Sequence, residues 1–387
     1  MEGKKIIKIK LHTAIILILA FILMIALVMI FTMKENGKLP YISNVEKSVY
    51  KEKQYSENIE IVATLEDEIT TNSAWCGTIQ LVWNDMVNNV IKQDVIFTPQ
   101  KQVVNNLNKQ SFTEDQLSEK DYYKVYDLVT QNLKEEIEKN IKSKFNEKSD
   151  IINKIDWSGA PKDNSGYNSK YKKYLFYAIL KKEFNFKNDF DELKNGQFAK
   201  KYKDIKYFGI DKNSSSELYS QVEVLYYNSK SDFAVILNTK ENEQVILCKG
   251  AEGNNFATIY NNLIKKSNNY EGNKEFTEND YLKVPNIKFD IFKSFDELCN
   301  NTFYSKKGEE YNISQVLQTI QVEMDKSGGK IKSEAAMAAK IVGITINQEK
   351  AENRYFYLDD EFTMFLKEAN KDIPYFAANI EDITLFQ

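Results

Sequence analysis

The side chains through which this chain could do chemistry are its carboxylates. Its single histidine, His12, stands just ahead of a long apolar run. The remainder can therefore build neither a Ser-His-Asp nor a Cys-His nucleophile system, nor a histidine-ligated metal site. The three cysteines, Cys76, Cys248 and Cys299, form no C-x-x-C pair, and they read as small buried hydrophobes rather than metal or redox groups. Hydrolysis by paired carboxylates needs only two acidic side chains brought to one bond. The obvious cluster is Asp359-Asp360-Glu361, which on pattern alone reads as the exposed start of a strand. The glycines are too scattered for a G-x-G-x-x-G or Walker loop, which argues against nucleotide chemistry. No cofactor and no metal are expected, and the chain is expected not to be an enzyme.

What stands out is a stretch rather than a constellation. Val322 to Gly329 alternates apolar and polar residues and ends in Gly328-Gly329, which predicts a strand that stops at a sharp turn. A run of small side chains follows, Ser333, Glu334, Ala335, Ala336, Met337, Ala338 and Ala339, then a polar segment from Asn347 to Arg354 and a further strand. Two readings of the small run stand side by side. It is a short exposed helix capped by Ser333, since alanine is the best helix former. Or it is a hinge that slides between two strands of a formed sheet, where bulk cannot pass.

The order strand, glycine, Glu334-Ala335-Ala336-Met337-Ala338-Ala339 resembles the proximal hinge of the serpins. Downstream, YLDDEFTMFLKEANKDIPYFAANIEDI resembles the serpin C-terminal strands, and Val222–Asn238 and Val284–Leu298 fall in serpin order. The resemblance covers most of residues 170 to 387. It implies an α+β fold with a large mostly antiparallel sheet, a second sheet and helices. It also implies a reactive loop over about 330–354, with the scissile bond near Ile346, within Ile344, Thr345, Ile346, Asn347 and Gln348. The partner implied is a target protease of serine or cysteine type. Shutter and breach positions fall on Cys76, Thr78, Tyr177, Phe184 and Gln318. Tyr177 stands where an asparagine is usual, Phe184 where a tryptophan is usual, and Gln318 where a histidine bonds across the shutter. Other readings are a serpin-fold binding or scaffolding module that never inserts its loop, and a carboxylate-based cell-surface hydrolase.

The elements that must position this stretch are less regular. Residues 54–70 show apolar positions at helical spacing, and Trp75, Ile79, Val82, Trp83 and Met86 can share one helical face. Residues 101–155 read as mostly helical, with Asp127, Leu128, Leu133, Ile137 and Ile141 along a sparse stripe. Asp156–Tyr167 is a loop by its Gly, Pro, Asn and Ser content.

Residues 13–33 are without charge, roughly 30 Å as a helix, and match a hydrocarbon core. Lys4, Lys5, Lys8 and Lys10 precede them, which sets residues 1–12 in the cytoplasm by the positive-inside rule. The expectation is a single-pass membrane anchor, a tether over 34–53 and an extracytoplasmic domain over 54–387. The chain's 387 residues suffice for one large core, and its net charge of −4 argues against nucleic acid as a partner. In cell fractionation the full-length protein is expected in the membrane fraction, with residues 54–387 digested by protease added to intact cells. A mature form beginning after Met33 and free in the medium would refute the anchor.

Overall fold

The structure is a computed structural model, and it describes residues 58–149, 151–167, 173–250, 252–331 and 353–387. In chain order the elements are β1 (Glu60–Ile61), β2 (Ser73–Cys76), α1 (Thr78–Asp85, running on as a π-helical turn through Ile91), α2 (Gln102–Asn108), β3 (Tyr122–Leu128), α3 (Gln131–Phe145), β4 (Tyr174–Leu180) and β5 (Lys182–Asn185). Next come β6 (Asp191–Phe198), β7 (Tyr202–Ile210), β8 (Val222–Ser229), β9 (Asp232–Asn238), β10 (Glu243–Lys249), α4 (Phe256–Asn268), β11 (Asp280–Pro285) and β12 (Ile287–Ser294). The last are β13 (Thr302–Tyr304), β14 (Glu310–Asn312), β15 (Leu317–Asp325), β16 (Gly328–Ile331), β17 (Arg354–Tyr357), β18 (Phe362–Glu368) and β19 (Phe376–Ile380).

The mixed α and β architecture with several sheets is the one expected. The largest sheet has the order β1-β2-β19-β18-β10-β9-β8 and is antiparallel except for β1 and β2. Its central strands carry continuous apolar runs, such as Phe233–Leu237 and Val245–Cys248, buried along their length. A strand covered on both faces needs no polar alternation, which is why these runs read as unbroken hydrophobes. Two four-stranded sheets follow, β17-β11-β7-β6 and β12-β15-β16-β5, and β3 pairs with β4 alone.

Along β15 every second residue, Gln318, Ile320, Val322 and Met324, is buried, so this strand keeps the alternation of a half-covered sheet. The α3 helix is capped by Thr130, whose hydroxyl accepts from Leu133 N. Its residues Leu133, Ile137, Ile141 and Phe145 lie on one stripe at i,i+4 spacing and form a small separate core with Ile152 and Tyr177 of β4.

Several expectations are corrected. Residues 58–72 hold no helix, only the two-residue β1, because they pack as an edge against β2. Trp75 lies in β2, one strand ahead of the helix that carries Ile79, Val82 and Trp83. Asp127 and Leu128 belong to β3 rather than to the helical stripe, since pairing with β4 overrides a weak local preference. Residues 330–331 lie in β16 and Arg354 in β17, so the expected loop boundaries narrow. The residues 13–33 lie outside the described residues. Among the described residues no helix is long and apolar enough to cross a membrane.

The Gly-Gly pair does not end a strand. The turn falls at Lys326–Ser327, and Gly328-Gly329 begins β16, wedged between β15 and β5. Glycine is required here for space. Gly328 has φ +150°, and a Cβ on it would lie 2.1 Å from Phe184 O. A Cβ on Gly329 would strike the Phe184 ring. Gly328→Ala is therefore expected to cost the folded state at least ~1–3 kcal/mol, read as a lower urea midpoint. An unchanged midpoint would mean that β16 does not sit in this slot.

Candidate functional site

The site is built on a sheet that is closed at one end and open at the other. At the closed end β16 fills one strand's width, pairing antiparallel with β15 on one side (Glu323 with Lys330, Asp325 with Gly328) and with β5 on the other (Asn185 with Gly328, Lys182 with Ile331). At the open end β4 continues the line of β5 and pairs only with β3. The first half of β15 pairs only with β12. Among the described residues no strand joins these two edges. A cleft of about 1130 Å³ runs between them, with Thr78, Val82 and Met86 of α1 and its π turn as part of the floor.

Each expected shutter residue can now be placed. Gln318 is buried on β15 and donates through Nε2 to Thr78 Oγ1 at 2.8 Å and to the Cys76 carbonyl at 3.0 Å. It therefore ties the open strand to the start of α1. Its Oε1 is buried and receives no donor among the described residues. Cys76 lines the same cleft, and burial pushes its thiol up to about 11, so it stays protonated and is no nucleophile. Tyr177 is not in that group. It points to the other face of β4, into the small core under α3, with its hydroxyl 3.1 Å from Ser149 Oγ. Phe184 sits at the closed end against Gly329 and Phe186. The hinge residues Ser333, Glu334, Ala335, Ala336, Met337, Ala338 and Ala339 lie outside the described residues, as do Ile344, Thr345, Ile346, Asn347 and Gln348.

The carboxylates of Asp359-Asp360-Glu361 do not converge. Asp359 pairs with Lys249 at 2.9 Å, Asp360 accepts from the Glu361 amide, and Glu361 accepts from Asn379. A tighter acidic group was not read from the sequence. Asp121, Glu243 and Glu368 bring oxygens within 4.8 Å of one another, and the Lys182 ammonium stands among them at 2.5–2.9 Å. A cation already fills that space. Arg354 was missed as well, although it is the chain's only arginine. It makes a bidentate pair with Asp280, both contacts 2.8 Å, and donates to the carbonyls of Asn273 and Glu275. This fork anchors the first residue of β17, directly after the undescribed segment. The signals available were a lone arginine among lysines and charges set inside apolar runs, as in AILKKEF and TMFLKE.

No family model matches the chain, and no curated protein does. Solved structures do, and they are serpins. The chain is similar to thyroxine-binding globulin in complex with thyroxine, at 10% identity and TM-score 0.46, over 80% of this chain and 92% of that one. It is similar to Serpin48 of the insect Tenebrio molitor, at 12% identity and TM-score 0.40, over 80% and 92%. It is also similar to Manduca sexta Serpin-12, at 12% identity and TM-score 0.39, over 66% and 65%.

Lysine offers no planar fork, so Arg354→Lys is expected to lose the bidentate geometry and about 2 kcal/mol of stability. Denaturant titration checks this. A loss no larger than that of an exposed lysine substitution would show that the fork does not hold β17.

Proposed function

We propose that the chain is a serpin-like protein held at the outer face of a membrane by residues 13–33, whose loop traps a serine or cysteine protease by entering the cleft as a new strand. The protease attacks within Ile344–Gln348, near Ile346, and forms an acyl-enzyme. Insertion of the freed hinge then carries the enzyme away before water reaches the ester. The work comes from strand formation, so the reading needs no catalytic residue in this chain.

One observation carries this reading, the register of β16. Position sums are constant across an antiparallel pair, and here they are 653 with β15 (323 with 330) and 513 with β5 (183 with 330). Continued without a bulge, these sums set Ser333 opposite Leu180 and Ala339 opposite Tyr174. The small run then matches β4 from end to end. Since Ile331 faces the main core, odd-numbered residues continue inward and even-numbered ones turn to the α3 side. Ala335 falls between Ala178 and Gln318. Ala336 falls beside Tyr177, which is 3% exposed and packed under α3. An inserted strand would set both positions against packed side chains, which accounts for alanine where the free chain alone would accept anything.

An inserted strand also satisfies two open edges at once, and unpaired backbone groups on such edges are costly when covered. The full-length protein cut in the loop is expected to melt far above the intact protein. Ala335→Arg and Ala336→Arg leave the intact form nearly unchanged, abolish most of that rise, and turn any covalent protease complex into simple cleavage. An unchanged melting temperature on cutting the wild type would rule out insertion and leave a binding module.

A further inference from the structure

Lys182 opens β5 and pairs with Ile331, the residue of β16 nearest the cleft. Its ammonium meets Glu243 of β10 at 2.5 Å, Glu368 of β18 at 2.6 Å and Asp121, in the turn before β3, at 2.9 Å. All four side chains are buried. Other groups among the described residues face this cluster. Tyr375 OH donates to Glu243, and Ser118 donates to Glu368 through its amide and its hydroxyl. The nearby cations are engaged elsewhere. Lys367 Nζ donates to the carbonyls of Glu368, Ala369 and Lys371, and Lys181 pairs with Glu147. One ammonium thus faces three carboxylates, two of which, Glu243 and Glu368, are direct cross-strand partners. Buried charge of one sign in excess is expensive, and uptake of a proton is the cheapest relief.

The two glutamates are not equivalent. Burial pushes Glu243 above its ordinary value, and Lys182 and Tyr375 do not fully offset it. Burial acts on Glu368 in the same sense, but Lys182 and the two Ser118 donors outweigh it and hold that carboxyl below its ordinary value.

We propose that this cluster binds one proton, on Glu243, and that the proton works the grip of β5 on the seven-stranded sheet at the mouth of the cleft. With Glu243 neutral, Lys182 serves two carboxylates and holds β5 and the start of β3 down. With Glu243 ionised, the excess negative charge loosens that hold and the sheet opens more readily. The second half rests on the loop-insertion reading, and the first half does not.

The sign follows from linkage. The folded chain keeps a proton that the unfolded chain gives up, so this stability is full below the ordinary 4.5 and is lost as pH rises through the raised value. The Glu368 contribution runs the other way and is lost as pH falls. The test is urea unfolding of the full-length protein from pH ~5 to ~8, where one proton changes the folding constant by at most about tenfold per pH unit. The wild type is expected to weaken as pH rises. Glu243→Gln, a neutral isostere, should be flat in that window, and Glu368→Gln should keep the slope. A flat wild type, or a slope retained in Glu243→Gln, overturns the proton site. After loop cleavage, the rate at which the melting temperature climbs should increase with pH in the wild type and not in Glu243→Gln. A rate independent of pH in the wild type, or no climb at any pH, overturns the second half alone.

Discussion

The structure turns on two strand edges that face one another with no described strand between them. Elsewhere the sheets close their edges on neighbouring strands or lie at a margin, but among the described residues the inner edges of β4 and the first half of β15 have no strand partner across a cleft. Backbone amides and carbonyls are obligatory hydrogen-bonding groups, so this arrangement holds latent strand-forming capacity. The surrounding elements keep it from collapsing. α1 and its π turn underlie the gap, Gln318 ties β15 to α1 through Thr78 and Cys76, and α3 clamps β3 and β4 from the opposite face through its own small core.

β16 makes the gap legible as a slot rather than a defect. It fills the closed end with a strand whose register is set on both sides, and the space continues in line with it. Gly328 and Gly329 permit this, because Phe184 comes too close for any side chain. The closed end is also where charge is concentrated inside the protein. The Lys182 cluster joins β5 to β10 and β18, while Arg354 fastens β17 to β11 on the far side of the undescribed segment. Both ends of that segment therefore leave from firmly held points.

Some of this was legible in the sequence. The stripe of Leu133, Ile137 and Ile141 marked α3, since a helical stripe follows from local geometry. The alternation from Val322 marked the second half of β15. The pattern failed at Trp75, at Asp127 and Leu128, and at the Gly-Gly pair, where a neighbouring strand decides the conformation. It also passed over Lys182 and Arg354, whose partners lie 61 and 74 positions distant.

By itself, then, the sequence determined the side chains available. It left no histidine for chemistry after His12, it supplied a run of small residues after a strand, and it carried strands and helices wherever periodicity alone selects them. Tertiary structure decided what stands in front of that run. The register of β16 between β15 and β5, the width of the cleft and the meeting of three carboxylates around one ammonium all depend on contacts between segments distant in the chain. No local pattern encodes such contacts, because backbone pairing is blind to side-chain identity and a buried charge declares its partners only once the chain has folded around it.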